Sequence, residues 1–469
     1  MRVMLIAPPD TRPPDMLADK VRIGIVAPMG LAAIAAILEQ RGHTVKILDC
    51  AGLNGHELPT GEVRYGLTDT QILYEIHDFN PDIVGVSCLF SNKSFDAHNV
   101  CRIAKRVRPG IGTVIGGAHP SAMGTEGDPN VDYACKGEGD YWFEAFHESP
   151  VADLDALPLP ARGLLDMTRY LYSESPHSGL KRVPMACIST SRGCPGHCEF
   201  CAIRCLYGTG FRKRSAESVL GEIQSLIETY GVREIHFEDD CLTADRRRVM
   251  AILQGIIDRR FDLTLNSPSG LAVFAMDEAL LDKMMEAGYY SISLAIESGV
   301  PWVLKDLIHK HVDLAKAKRM IAYARSIGMK TKAFFICGYP GETKDSMRQT
   351  VDYAANLGAD WCLFFTASTL PGTELDRRCR ANNWLVDPHM DNRYLFYKAN
   401  IRTDQFGPDD VQRVKDEANE AINFRDNTNM REGRYDRAVE DFQEVVNLYP
   451  HLAFANEALE KAKVEAALF

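Results

Sequence analysis

The chain of 469 residues has room for two or three domains, and 46% hydrophobic, 9% aromatic and 25% charged residues mark an ordinary folded protein, not a disordered one. A formal net charge of −11 without a long Lys/Arg block argues against a general nucleic-acid or anionic-membrane binder. The apolar runs are too short to span a bilayer, and thirteen cysteines, an odd number scattered through periodic segments, point to reduced thiols and a metal site in a cytoplasmic protein rather than a disulfide framework.

Residues 2–7 read as a short strand, followed by a proline-rich loop to Pro14. Apolar residues at helical spacing fill 29–41 and stop at Gly42, and a strand follows at 44–49. A helix over 68–79 leads to 82–89, an almost wholly apolar run of the kind found in parallel sheets covered on both faces. The alternation repeats with a helix at 98–107, strands at 112–117 and 133–136, and a helix at 141–147. This predicts a doubly wound, Rossmann-like α/β domain over 1–149, with ligands in the crevice beyond the strand C-terminal ends. Ser87 and Leu89 end one strand there, Gly116-Gly117 the next, and Gly137-Glu138-Gly139-Asp140 follows the last. A hydroxyl and a glycine pair suit a nucleotide-like tail lying across the edge, although Gly-Gly after a strand is also an ordinary tight turn.

Residues 150–182, rich in Pro and Ser, read as a linker. A strand at 183–190 then runs into Ser191-Arg192-Gly193-Cys194-Pro195-Gly196-His197-Cys198-Glu199-Phe200-Cys201. Three thiolates so closely spaced on a Gly/Pro loop are ligands for an iron-sulfur cluster or zinc. Cys205 follows four residues later, so the centre is either closed by four cysteines or left open at one position. Five more strand–helix units succeed it, with strands at 234–237, 262–266, 290–296, 331–337 and 361–366, making a partial (β/α)6 barrel over 183–385 whose active residues belong at the strand C-terminal ends. Glu238-Asp239-Asp240, Asn266, Glu297-Ser298-Gly299, Gly338-Tyr339-Pro340-Gly341-Glu342 and Ser368 stand at those ends.

The Cys-x-x-x-Cys-x-Phe-Cys loop on six such units resembles the radical S-adenosylmethionine (SAM) superfamily. The Ser-x-Leu and Gly-Gly pattern of the first domain resembles the cobalamin-binding domains of its cobalamin-dependent branch. The resemblance implies that Cys194, Cys198 and Cys201 hold a [4Fe-4S] cluster whose open iron takes SAM, with Phe200 beside them and Cys205 outside the set. It implies SAM contacts among Glu238, Asp239, Asn266 and Glu297, with Phe-Glu-Asp in place of the Gly-Gly-Glu often found there. Gly338 and Pro340 would let the backbone approach adenine. It implies cobalamin contacts from Ser87, Leu89, Gly116, Gly117 and Glu138. The loop Pro8-Pro9-Asp10-Thr11-Arg12 lacks the cobalt-ligating histidine of another branch, implying cobalamin held without a lower protein ligand.

The implied activity is reductive cleavage of SAM to a 5′-deoxyadenosyl radical, then methylation of an unactivated carbon or a phosphorus centre of a small-molecule, lipid or natural-product substrate. The electron donor is of the flavodoxin or ferredoxin kind. The same parts suit an oxidative ring closure or rearrangement without methyl transfer. A third possibility is a non-catalytic scaffold or redox sensor using residues 386–469, an acidic helical tail. There Gly433, Tyr435, Ala438, Phe442 and Pro450 resemble half of a tetratricopeptide repeat, with polar Asn423 and Asp426 out of pattern. A lone hairpin packed on the barrel or contacting another protein is expected there rather than a peptide-binding array.

Overall fold

The computed structural model describes residues 1–16, 25–145, 150–173 and 180–468. Its strands are β1 (Arg2–Ala7), β2 (Asp10–Arg12), β3 (Thr44–Asp49), β4 (Ala51–Glu57), β5 (Val63–Gly66), β6 (Ile83–Ser87), β7 (Gly112–Gly116), β8 (Tyr133–Cys135), β9 (Met185–Ile188), β10 (Ser191–Arg192), β11 (Arg212–Lys213), β12 (Glu234–Phe237), β13 (Thr264–Asn266), β14 (Ser291–Glu297), β15 (Lys330–Cys337) and β16 (Trp361–Thr366).

The order β3-β1-β6-β7-β8 makes one parallel sheet. Alternate residues of β1 serve its two faces. Val3 and Leu5 pack on Leu31, Ala35 and Leu38 of the helix Met29–Gln40. Met4 and Ile6 join Ile72, Ile76, Val100 and Ile103 of the helices Asp69–Phe79 and Ser94–Val107. This is the doubly wound domain expected from the apolar strand runs. The last helix is described as Trp142–Ala145, and the end of its predicted range lies outside the described residues. One feature escapes the periodicity: β2, β5 and β4 form a small antiparallel sheet. Its segments are rich in glycine and charge, so no apolar alternation marks them. Polar bonds hold it instead, from Thr11 to Asp96 (2.8 and 2.6 Å) and from Arg64 Nε to Thr11 Oγ1 (2.9 Å).

The described part of the predicted linker is packed, not loose. Met167, Tyr170 and Leu171 are buried in the barrel core, Tyr170 donates to Asp49 at 2.5 Å, and Arg162 pairs with Glu222 at 2.6 Å. Residues 174–179 lie outside the described residues.

The six barrel strands form two parallel three-stranded sheets, β13-β12-β9 and β14-β15-β16, joined by the bridges Leu265–Tyr289 and Leu271–Leu294. In β15, Thr331, Ala333, Phe335 and Cys337 are buried under the helices, whereas Lys330, Lys332, Phe334 and Ile336 take the half-open interior face. Each following helix starts at a capping side chain that accepts a backbone N–H: Ser215, Asp245, Asp277, Asp313, Thr343 and Thr373. These caps end the strand-to-helix loops and so fix where their side chains stand.

The tail seals the open edge. Asn423 exchanges two hydrogen bonds with the backbone of Cys362 (2.8 and 2.6 Å), and Asn419 does the same with Phe364 (3.0 and 3.1 Å). Polar Asn423, out of place in a helical repeat, occupies the unpaired ladder positions of β16. The helices Tyr435–Leu448 and Ala453–Leu468 pack together through Ala438, Phe442, Leu459 and Ala462. No helix of the described residues is long and apolar enough to cross a membrane.

Candidate functional site

The cysteine loop is the tip of a short hairpin in which β10 pairs antiparallel with β11. Cys194, Cys198 and Cys201 are half-buried on it, and His197 is exposed. A Cβ on Gly196 would lie 3.4 Å from Cys194 Sγ and 3.9 Å from Cys198 Sγ, so two sulfurs flank this glycine, whose N–H points at Cys194 Sγ (3.4 Å). A hydrogen bond from Cys241 draws the Cys194 thiol down to about 6 against the push of burial. Burial pushes Cys198 up to about 12 and Cys201 to about 11, with the Lys310 cation pulling both back. Cys205 is turned elsewhere, its thiol donating to the Gly372 carbonyl at 3.5 Å.

Such a loop has no long backbone ladder, and side chains set its position. Arg192 meets Glu138 at 2.6 Å and Asp140 through two bonds (2.7 and 3.0 Å), reaching from the barrel into the first domain, and Arg212 joins Glu138 from β11. Asp239 accepts from Thr190 N (3.2 Å), Thr190 Oγ1 (2.8 Å) and Ser191 Oγ, and Asp240 accepts from Gly193 N at 2.9 Å. Glu199, inside the loop, receives Tyr339 OH at 3.0 Å and Arg378 at 3.2 Å.

Several of the residues expected to contact a cofactor have protein partners. Asp239 and Glu138, 2% and 6% exposed, anchor the loop. Asp240 holds Gly193, while the next helix is capped by Asp245. Asn266 is buried, donating to Tyr290 OH (3.2 Å) and accepting from Ser267 N (2.8 Å). Gly338, at φ 79°, has its Cβ side filled by Val411 of the tail at 2.6 Å, and the Pro340 carbonyl accepts from Arg378 at 3.2 Å. Phe200 packs against the barrel core beside Cys198.

Two acids keep a place at the mouth. Glu238 is half-buried, touched by the Cys187 thiol at 3.6 Å and by Ser269 at 3.3 Å. Glu297 sits at a register shift in β14 with φ 71°, a conformation rare for a side-chain-bearing residue and concentrated at functional sites. It binds Lys310 Nζ at 2.7 Å. Burial lowers the Lys310 pKa, but Glu297 and the neighbouring cysteines outweigh it and hold the amine protonated. Sequence reasoning passed over Lys310, Arg192 and Glu199; position beside the motif could have flagged Arg192 and Glu199, and nothing in the sequence flags Lys310.

In the first domain, Ser87 ends β6 half-buried, and Leu89 and Phe90 follow with 48% and 51% exposure. Gly117 has φ 126°, and a Cβ there would stand 2.5 Å from the Cys88 carbonyl oxygen. Gly116 faces Cys135 at 3.3 Å. Both glycines thus let the strand ends close on one another, leaving an edge with an apolar shelf beside it. Asp10, the first residue of β2, is paired with Lys93 at 3.1 Å, and Arg12 stacks on Tyr65.

The donor set fits an iron-sulfur cluster with one iron left open: three thiols, a fourth cysteine turned away, and a cation facing the sulfurs. Among the described residues no three His, Cys, Asp or Glu side chains close on a single point, as a lone ion would require. The shelf at Ser87–Phe90, bounded by side-chain-free Gly116 and Gly117, fits the flat apolar body of a corrin.

Residues 20–147 match the B12 binding domain family and residues 188–354 the Radical SAM superfamily. The chain is 34% identical to cytidylyl-2-hydroxyethylphosphonate methyltransferase of Streptomyces wedmorensis, over 80% of this chain and 81% of that one. In fold it is similar to the cobalamin-dependent S-adenosylmethionine radical enzyme OxsB (TM-score 0.69, 14% identity, 99% of this chain and 75% of that). It is also similar to the radical S-adenosylmethionine methyltransferase TsrM of Kitasatospora setae (TM-score 0.61, 19% identity, 82% and 77%).

Proposed function

Because the chain belongs to the cobalamin-dependent radical SAM methyltransferase family, we propose that it methylates an unactivated carbon, or a phosphorus centre, of a small-molecule, lipid or natural-product substrate. One observation carries the reading. The loop with three half-buried thiols is tied by Arg192 to the strand ends of the first domain, so two cofactor pockets face one crevice. When bound there, a [4Fe-4S] cluster supplies the electron that cleaves SAM, and cobalamin supplies the methyl group.

Cys194, Cys198 and Cys201 hold the irons in this reading. Glu238, and Glu297 with Lys310, are placed to grip the zwitterionic amino-acid end of SAM, a carboxylate for its ammonium and an ammonium for its carboxylate. Ser87 and Leu89 bear on the corrin. Phe334 and Phe365, edge to face at 6.2 Å on the interior side of β15 and β16, keep the chamber dry around a radical. In this reading the domain limits fall at 149, 182 and 385. All thirteen cysteines are free, which supports a reducing cytoplasm and a reductant of the flavodoxin or ferredoxin kind.

The test is anaerobic reconstitution with iron, sulfide, cobalamin, dithionite and methyl-labelled SAM. The wild-type protein should release 5′-deoxyadenosine and pass label to a candidate substrate. Cys194→Ala should abolish 5′-deoxyadenosine and lower the bound iron, and Cys205→Ala should leave both unchanged. Turnover without label in the product would replace methylation by ring closure or rearrangement.

A further inference from the structure

Arg192 is not the only attachment between the barrel and the first domain. A strap, residues 386–400, makes a second. Its base is closed by the bridge Leu385–Ile401, by Val386 N–H donating to the Asn400 carbonyl at 2.9 Å, and by two bonds between the Asn400 side chain and the Asp387 backbone (2.9 and 2.8 Å). Ser368, just past β16, donates to the Leu395 carbonyl at 2.7 Å and holds the middle of the strap to the barrel. Its other contacts are on the first domain. Arg393 pairs with Glu62 at 2.5 Å and lies 4.2 Å over the Phe95 ring, Asn392 donates to Ser94 at 3.0 Å, and Lys398 reaches Asp15 at 2.7 Å. In the sheet order β3-β1-β6-β7-β8, Asp15 and Ser94 follow β1 and β6, whereas the partners of Arg192 follow β8. The Gly116–Gly117 end of β7 therefore lies between the two attachments.

The strap brings Phe396 to the apolar shelf. Its ring meets Phe90 edge to face at 6.5 Å, and Arg12 lies 6.0 Å over the ring of neighbouring Tyr397. Phe90 is fixed from both sides, the Cys88 thiol donating to its carbonyl at 3.6 Å and Ser91 sharing a hydrogen bond with His119 at 3.0 Å. Leu89, Phe90, Phe396 and Tyr397 all remain between 43% and 51% exposed. Large apolar side chains left half bare at one edge mark a surface that a ligand completes. The strap itself is lightly held: Lys398 and Asp15 are half-exposed, and an ion pair in that setting contributes little.

We propose that Phe396 is a cobalamin-binding residue supplied by the barrel half of the chain: set against Phe90, it carries the apolar shelf across the domain boundary. This rests on the reading of Ser87–Leu89 as the corrin edge. A ligand that touches both halves binds the docked strap better than the lifted one, so its binding favours the docked strap.

The experiment is equilibrium binding of hydroxocobalamin to the full chain, followed by absorption, together with chymotrypsin digestion whose cuts are located by mass spectrometry. Phe396→Ala should weaken hydroxocobalamin binding about tenfold, keep the wild-type urea midpoint without cobalamin, and keep its iron after reconstitution. Phe396→Tyr retains the ring and should bind as wild type. Phe396→Gln, nearer phenylalanine in size and without an aromatic face, should weaken binding like alanine and decides the matter if the alanine variant does not fold. Saturating hydroxocobalamin should slow cleavage within residues 392–400 of the wild type and leave cleavage in Phe396→Ala less protected. Wild-type affinity in folded Phe396→Ala and Phe396→Gln, or cleavage of the wild-type strap that hydroxocobalamin does not slow, would overturn the proposal. Leu89→Asp binding hydroxocobalamin as tightly as wild type, or a wild-type protein that takes up none, would instead overturn the corrin-edge reading beneath it, so the two failures are distinguishable.

Discussion

The two walls of the crevice are built by opposite means. On the barrel side, charged side chains pin an irregular loop: Arg192 to Glu138 and Asp140, Asp239 to Thr190 and Ser191, and Glu199 to Tyr339 and Arg378. On the other side, the edge at Ser87–Leu89 and Gly116–Gly117 is shaped by what is missing, with Gly117 backed against the Cys88 carbonyl. A loop that presents three sulfurs has little ladder to hold it, so position comes from charge-assisted bonds among buried partners. Strand ends are already fixed by their sheet and need only room.

The comparison breaks most visibly at Arg192. Arg192→Met leaves Asp140 buried without its cation and Glu138 with Arg212 alone, which should cost about 3–5 kcal/mol in urea unfolding and strip iron from the loop. An unchanged urea midpoint with four irons retained would show that the loop is not held by these charges. A smaller effect should follow at the opposite wall. Gly117→Ala combines φ 126° with a Cβ 2.5 Å from the Cys88 oxygen, a strain of about 1–3 kcal/mol. It should lose cobalamin, measured by absorption of the desalted protein, while keeping its iron. Equal loss of both cofactors would mean that the walls are not separately built.

The smallest effect is a pH dependence confined to the first domain. His98 has Glu126 and Asp128 each at 2.9 Å from a ring nitrogen, and a neutral imidazole has only one proton to give. The bond to Glu126 raises the His98 pKa, with Asp128 adding to it and burial opposing. Bonds from His119 and then His98 draw Glu126 down to about 2. The His98 contribution is therefore complete below about 6.5 and is lost as pH rises through the raised folded value, and the Glu126 contribution is lost as pH falls from about 4.5 toward about 2. Amide exchange over residues 117–128 should quicken at alkaline pH by about 1 kcal/mol of opening free energy and not at the cysteine loop. His98→Gln should flatten that dependence. Alkaline loosening of both regions alike would contradict it.

The doubly wound α/β class, the six strand–helix units and the spacing of the three cysteines were legible because each writes a period or a spacing into consecutive residues. What was not legible was which partners the acids take. Glu138 and Asp239 stand at strand ends as ligand-contacting acids do, but their partners Arg192 and Thr190 lie 54 and 49 residues away, and local pattern carries no sign of them. The Cβ side of Gly338 meets Val411, on a helix the alternation could not dock. Lys310 follows the turn Val303–Ile308 among other charged residues, and nothing in its neighbourhood separates it from a solvated lysine. Asn423 read as a defect in a repeat until the edge of β16 supplied its partner, and Asn419 joins it there.

The Arg192 contact also bears on how the chain is made. Domains tend to fold as they leave the ribosome, N-terminal part first. Here the first domain emerges with Glu138 and Asp140 in place, 6% and 5% exposed in the finished fold, while their cation is still 52 residues behind Asp140. Burying those carboxylates at neutral pH is unfavourable without a cation, so their final environment is completed only when Arg192 has been made. The cysteine loop thereby completes the domain made before it.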